Sequence, residues 1–221
     1  MENYEIINYL IQKNNYHTYL EVGVWLGTTF KEINIDYKES CDVDNTWWPQ
    51  DLPPITYLMT SDEMFSRMPI DKKYDIIFLD GLHTEECLDR DIINSLKHLN
   101  PGGLILCHDV LPLDYHSATE ISNTGLWNGT CWKSICKLQD QNIQFHTLNQ
   151  FNYGLTIIHY IDNPYQLHFP RYKCTIDFEY IFKNGFKIDD NISKDAINFP
   201  YTEQGKYVLH IIEENEFLKL Y

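Results

Sequence analysis

The chain has 221 residues, with 17 Lys+Arg against 32 Asp+Glu for a formal net charge of −15, and a sequence pI of about 4.8. A chain this acidic repels a phosphate backbone unless its few cations cluster, and they do not, which excludes a nucleic-acid partner. Hydrophobic residues at 43% and aromatics at 14% supply one substantial core, which excludes dominant disorder.

The N-terminal stretch lacks a basic segment followed by an apolar one, and no run approaches the roughly 20 apolar residues that span a bilayer. A soluble, cytoplasmic protein without a membrane span is expected. Cys41, Cys87, Cys107, Cys131, Cys136 and Cys174 form no Cys-x-x-Cys pair and no zinc spacing, and read as reduced thiols.

In chain order, Thr18-Tyr-Leu-Glu-Val-Gly-Val24 predicts a strand entering the turn Trp25-Leu-Gly27, with a short helix over 28–33. Strands follow over 39–43 and 55–59. Tyr74-Asp-Ile-Ile-Phe-Leu-Asp80 is a continuous apolar run ending in a charge, as a strand covered on both faces requires. Leu88, Ile92, Ile93, Leu96 and Leu99 keep helical spacing over 85–99, and Asn100-Pro-Gly-Gly103 stops that helix before a strand over 103–107. A polar and aromatic loop over 111–129 precedes a helix over 131–139, and strands over 144–148 and 153–160 complete seven. Short apolar runs alternating with helical stretches predict an α/β fold: a doubly wound, Rossmann-like, mostly parallel sheet with helices on both faces. Residues 1–160 read as one domain, and 161–221 as a C-terminal extension packed on it.

In such a sheet the ligand lies outside the carboxyl ends of the strands, where strand order reverses. The residues there are Glu21, Gly23 and Gly27, then Asp42 and Asp44, then Ser61 and Asp62, then Asp80 and His83, and last His108 and Asp109. So many carboxylates suit a ligand presenting hydroxyls and an amine better than one presenting phosphates. Glu21-x-Gly23-x-x-x-Gly27 lacks the third glycine of a dinucleotide fingerprint, yet Asp42 stands at the end of the next strand, where an acid can hold a ribose diol.

Together, Leu20-Glu-Val-Gly-Val-Trp-Leu-Gly-Thr28, Cys41-Asp-Val-Asp44, Thr60-Ser-Asp-Glu-Met-Phe65, Tyr74 to His83 and Asn100 to Pro112 resemble the ordered motifs of class I S-adenosylmethionine-dependent methyltransferases. The nearest resemblance is to a small branch with Asp-Gly-x-His and His-Asp at the ends of strands four and five, associated with glycans and sugar-bearing metabolites. It covers about residues 16–160. It implies S-adenosylmethionine as cofactor, with Glu21, Gly23 and Gly27 around its methionine part, Asp42 on the ribose, Ser61 and Asp62 near the adenine, and Asp80 beside the amine and the reacting methyl. The stretch 28–37 is short and interrupted by Asn34 and Asp36, so the first crossover helix departs from the family pattern.

Transfer of a methyl to a hydroxyl needs an aligned acceptor and a group to take its proton. His83 and His108 are candidate bases. Asp80, His108 and Asp109 are the parts of a divalent-metal site, but a histidine where related metal enzymes carry an acid suits Mg²⁺ poorly. The histidine base is therefore preferred, Mg²⁺ or Mn²⁺ is the disfavoured alternative, and no metal ligand is assigned. Asp109 reads equally as a turn former before Pro112 and as a catalytic group. Trp127 is the better candidate for substrate contact, whereas Trp132 reads as core. The expected partner is a small-molecule or glycan substrate, and a homo-oligomer is left open. A competing reading takes Asp42-Val-Asp44 as the Asp-x-Asp of a metal-dependent glycosyltransferase using a nucleotide sugar, which leaves the glycines and Asp80-Gly-x-His83 unexplained.

Overall fold

Ile76, Ile77, Phe78 and Leu79 are all buried, and their strand alternates between two cores. Ile77 and Leu79 face one core with Leu20, Ile105, Leu88, Ile92 and Trp132. Ile76 and Phe78 face the other with Ile6, Leu10, Tyr19, Phe30, Leu104 and Phe217. The period of two thus gives each face of the sheet its own layer of helices.

The computed structural model describes residues 1–113, 116–122, 127–141, 143–150, 153–164 and 208–221. Their strands are β1 Thr18–Val22, β2 Tyr37–Asp42, β3 Tyr57–Leu58, β4 Tyr74–Leu79, β5 Leu99–His108, β6 Phe145–Leu148, β7 Leu155–His159 and β8 Ile211–Ile212. Their helices are α1 Asn3–Asn14, α2 Thr28–Glu32, α3 Ser61–Arg67, α4 Glu85–Lys97, α5 Cys131–Asp140 and α6 Glu214–Leu220. The sheet runs β3-β2-β1-β4-β5-β7-β6-β8. Strands β1 to β5 pair in parallel, β7 is antiparallel to both β5 and β6, and β8 lies parallel on β6. The α/β Rossmann-like architecture is the expected one. Strand order reverses between β1 and β4, so a crevice opens where those two strands end.

Several elements differ from expectation for local reasons. The sheet has eight strands where seven are expected, because Ile211 and Ile212 pair with Thr147 and Leu148. Helix α1 is absent from the sequence-based expectation, although Ile6, Ile7, Leu10 and Ile11 bury one face and the Glu2 and Glu5 side chains form a reciprocal capping box. Helix α3 is likewise added, capped by the Thr60 hydroxyl accepting from Glu63 N–H. Strand β5 begins at Leu99, earlier than expected, since the Asn100 amide donates to Asp75 at 2.7 Å and carries the Pro-Gly-Gly segment along the sheet past an irregular register at Tyr74 to Ile76. Asp75 also accepts from the His17 and Thr18 amides, which fixes the start of β1 against β4. Helix α2 is five residues long, as short as its interrupted sequence implies.

Among the described residues no helix is long and apolar enough to cross a membrane. Among the described residues Cys41, Cys87, Cys107, Cys131 and Cys136 form no disulfide with one another, and Cys174 lies outside the described residues. Of the expected extension, residues 208–221 contribute β8 and α6, while 165–207 lie outside the described residues.

Candidate active site

Gly23 follows β1 at φ 83°, and a Cβ there would stand 2.0 Å from the Asp80 carbonyl oxygen. Only glycine lets the β1 turn close on β4 at this point. The Gly23 N–H donates to the Cys41 carbonyl at 2.9 Å and the Asp80 N–H to the Val22 carbonyl at 2.8 Å, so the ends of β2, β1 and β4 are locked side by side. Above them lies a cavity of about 940 Å³ lined by Glu21, Gly23, Asp42, Ser61, Asp62, Asp80, His83, His108 and Asp109, among others. Nine of the ten residues expected to form a site are thereby brought to one wall. The tenth, Gly27, does not line the cavity. It sits at φ 67° before α2, and a Cβ there would meet the Leu52 side chain at 2.8 Å, so it serves the turn and its packing.

At the β4 and β5 end four ionisable groups meet. His108 Nδ1 lies 3.2 Å from Asp80 Oδ1 and 3.4 Å from Asp109 Oδ2. His83 Nε2 lies 3.2 Å from Asp109 Oδ2 and 3.5 Å from Asp80 Oδ1. The other nitrogen of His83, Nδ1, is 2.9 Å from the Trp127 carbonyl oxygen, which can only accept, so Nδ1 carries a proton and Nε2 is the variable atom. Burial opposes a charge on either imidazole. The hydrogen bond that His83 donates to Asp80, with the charges of Asp109 and Asp80, outweighs burial at His83 and raises that pKa. The Asp80 charge and the bond to Asp109 do the same at His108, more strongly. Asp80 responds in the opposite sense: burial would raise it, but His108 and then His83 hold its carboxyl well below the usual carboxylate range.

The segment before α5 holds this cluster together. Gly129, at φ 64°, lies so close to His83 that a Cβ would fall 1.7 Å from the His83 carbonyl oxygen, and the Thr130 N–H donates to that oxygen at 3.0 Å. The buried Asn128 amide donates to Asp109 Oδ1 at 2.7 Å. Asp109 itself sits at φ 57°, a left-handed conformation that aspartate tolerates better than most residues and that turns its carboxylate toward both histidines. No helix starts at Asp109, so the turn-former and cluster roles coincide in one residue. Trp127 flanks His83, with ring centroids 5.3 Å apart, and lines the cavity, while Trp132 is buried in the core, as expected.

Other expected residues are more constrained. The Glu21 carboxyl is buried and accepts from the Tyr19 hydroxyl, and burial pushes its pKa up to about 8 despite that bond. Asp42 Oδ2 accepts from the Val24 and Trp25 amides at 2.9 Å each, which fixes the β1 turn. Asp62 is held by the Arg90 guanidinium at 3.0 Å. The Asp44 carboxylate accepts from the Thr46 amide and hydroxyl at 2.8 and 2.6 Å and does not line the cavity. Asp42 Oδ1 also accepts from the Asp44 N–H at 3.2 Å, so of the Asp-x-Asp pair only Asp42 faces the cavity while both are tied into the turn after β2. The sequence reading gives no role to Asp91, Asn128 or Gly129. The signals are present: an acid on the apolar face of α4 between Leu88 and Ile92, and an Asn-Gly turn dipeptide.

Residues 53–110, from the approach to β3 to the end of β5, match a family model described as a methyltransferase domain. Among curated proteins, none matches the chain in sequence. Solved structures share its architecture. The O-methyltransferase TomG from Streptomyces achromogenes aligns with a TM-score of 0.54 at 11% identity, over 71% of this chain and 78% of its own. The fold is a methyltransferase fold. An amino pentose methyltransferase from Micromonospora echinaspora aligns with a TM-score of 0.55 at 11% identity, over 72% of this chain and 90% of its own. A protein assigned as a caffeoyl-CoA O-methyltransferase from Staphylococcus aureus gives 0.52 at 22% identity, over 72% and 82%. The matched domain segment contains Ser61, Asp62, Asp80, His83, His108 and Asp109, so most of the cavity's ionisable groups belong to the methyltransferase domain match.

The donor set also has the composition of a cation site. Asp80, His83 and Asp109 each offer one ligand atom, all within 4.8 Å of one another. A mixed nitrogen and oxygen set suits Mn²⁺ or Fe²⁺ better than Mg²⁺.

Proposed function

We propose that the chain is an S-adenosylmethionine-dependent O-methyltransferase that methylates a hydroxyl of a small acceptor, with a sugar or glycan intermediate as the acceptor class. The observation that carries this reading is the convergence of His83, His108, Asp80 and Asp109 on the wall of one cavity beside the Gly23 turn, inside a methyltransferase fold. The cavity has room for a nucleoside-bearing cofactor and a small acceptor together. S-adenosylmethionine supplies an electrophilic methyl on a sulfonium centre. Glu21 and Gly23 line the part of the cavity assigned to its methionine end, Asp42 the ribose, and Ser61 and Asp62 the adenine, while Asp80 is assigned to the amine. Domain residues 1–160 carry all of these positions, and 161–221 form the extension.

His83 is assigned as the base. Its Nδ1–H is pinned by the Trp127 carbonyl, so the acceptor proton goes to Nε2, and the carboxylates of Asp80 and Asp109 stabilise the imidazolium that results. His108 holds Asp80 in place from the other side. The indole of Trp127 offers the flat apolar face on which a sugar ring stacks. A sugar acceptor is also supported by the shared fold of the amino pentose methyltransferase.

The three donor atoms within 4.8 Å favour a second reading, in which a divalent cation bound by Asp80, His83 and Asp109 lowers the acceptor's pKa. One experiment separates the two. Under the histidine-base reading, His83→Ala keeps S-adenosylhomocysteine binding but loses methyl transfer by about two orders of magnitude or more, and wild-type activity survives EDTA. Activity that vanishes on chelation and returns with Mn²⁺ replaces the base with the cation.

A further inference from the structure

Away from the cavity, side chains from three elements meet on one oxygen atom. His146 on β6 and His159 on β7 lie diagonally across an antiparallel pair, since His146 is opposite Ile157, and both belong to the same face of the sheet. The end of α6 lays Tyr221 over them, with its hydroxyl 3.0 Å from His146 Nδ1 and 2.9 Å from His159 Nε2. The Tyr221 ring stacks on His159 at 5.4 Å and on Phe217, one turn back in α6, at 5.2 Å. Phe217 in turn meets Tyr9 of α1, with ring centroids 5.6 Å apart, and the first residues of α1, Asn3 and Tyr4, line the cavity.

A phenol has one proton to give. Two imidazole nitrogens on its oxygen are both satisfied when one ring donates an N–H and the other accepts the O–H, so the accepting ring must be neutral. Protonation turns that acceptor into a second donor, and the buried hydroxyl loses the partner for its own proton. A proton on each ring also sets two imidazolium cations 6.4 Å apart. Among the described residues, the groups facing the pair give little relief. His210, before β8, adds a third imidazole on the His146 side, Tyr16, after α1, faces Tyr221 as a neutral phenol, and Glu216 of α6 supplies the counter-charge. Burial lowers the pKa of both rings, and the neighbouring imidazoles act in the same sense. We infer that His146, His159 and Tyr221 form a pH-sensitive latch, which clamps α6 to the sheet while the imidazoles are neutral and opens on acidification. Rings that are harder to protonate when docked favour the released helix as pH falls below about 6.5. Because α6 braces α1, an open latch also loosens the part of the cavity wall that α1 provides.

Amide hydrogen exchange of the full chain at about pH 7.5 and about pH 5.5, corrected for the intrinsic pH dependence of exchange, tests the latch. Each histidine that gains a proton on release contributes up to about tenfold per pH unit, so protection in α6 should fall at least about tenfold while that in β1 and β4 changes less than about threefold. The double variant His146→Asn with His159→Gln keeps a polar atom at each bonding position and takes up no proton, so its α6 protection should change less than about threefold over the same range. Wild-type α6 protection that does not fall, a fall shared equally by β1 and β4, or a double variant that keeps the wild-type pH dependence overturns the latch. If the double variant does not fold, Tyr221→Phe takes its place, since it keeps the ring stack and removes the hydroxyl. It should lose α6 protection at about pH 7.5, and protection equal to wild type there overturns the latch as well.

Discussion

The Nδ1–H of His83 donates to a main-chain carbonyl, and its Nε2 faces two carboxylates, so a single ring is oriented by one contact and made basic by the others. Glu21 shows the opposite outcome for a group a short distance away. Its carboxyl is buried, and burial outweighs the Tyr19 hydrogen bond, so the neutral form is favoured in the folded chain. The folded pKa of about 8 lies above the ordinary 4.5, so the folded state binds the proton more tightly than the unfolded one. The stability Glu21 contributes is then complete below its unfolded pKa and is lost as pH rises through the folded pKa. Glu21→Gln, which cannot ionise, should therefore gain stability relative to wild type between about pH 5 and pH 8, by no more than about 1.4 kcal/mol per pH unit. Urea unfolding at several pH values checks this, and a difference that does not vary with pH contradicts a buried, neutral Glu21. At this scale the sequence showed which residues end the strands, because strand ends are set by local pattern. It did not show which carboxylates are spoken for, because the partners of Asp42 and Asp62 come from other segments.

Helices α4 and α5 are joined by an ion pair that must be completed to be tolerated. Lys137 Nζ lies 2.5 Å from Asp89 Oδ2 and 2.6 Å from Glu85 Oε1, with the Lys137 and Asp89 side chains almost fully buried. The pair fixes how α5 lies on α4, and the turn that carries Trp127, Asn128 and Gly129 leads directly into α5. Lys137→Met should destabilise the fold by about 3–5 kcal/mol, since it leaves Asp89 buried and uncompensated, and adding Asp89→Leu should restore most of that loss. Chemical denaturation of the single and double variants measures both, and a single variant as stable as wild type would contradict the pair's burial. The elements themselves were unequally legible. Strands β1, β4 and β5 announce themselves as apolar runs covered on both faces, whereas β3 and β8 are two residues each and are defined by their neighbours' hydrogen bonds. Helix α1 has a readable apolar period at Ile6, Ile7, Leu10 and Ile11, but its place against the second core is a tertiary fact.

For the molecule as a whole, the charge of −15 is partly localised. Asp42, Asp62, Asp80, Asp91 and Asp109 line one cavity at the carboxyl ends of the parallel strands, beside the buried and neutral Glu21. The reversal of strand order between β1 and β4 brings them together, and it follows from topology, which the alternation of strands and helices already implied. The clamp from the 127–130 turn was not implied, because it depends on a segment 44 residues beyond His83 in the chain folding back over it. The proposed function requires this cavity to take S-adenosylmethionine. Thermal unfolding of the full chain in the presence of S-adenosylhomocysteine, set against a nucleotide sugar such as UDP-glucose, tests it most directly. A saturable rise in melting temperature is expected with S-adenosylhomocysteine and none with the nucleotide sugar; stabilisation by the nucleotide sugar alone would contradict a methyltransferase cavity.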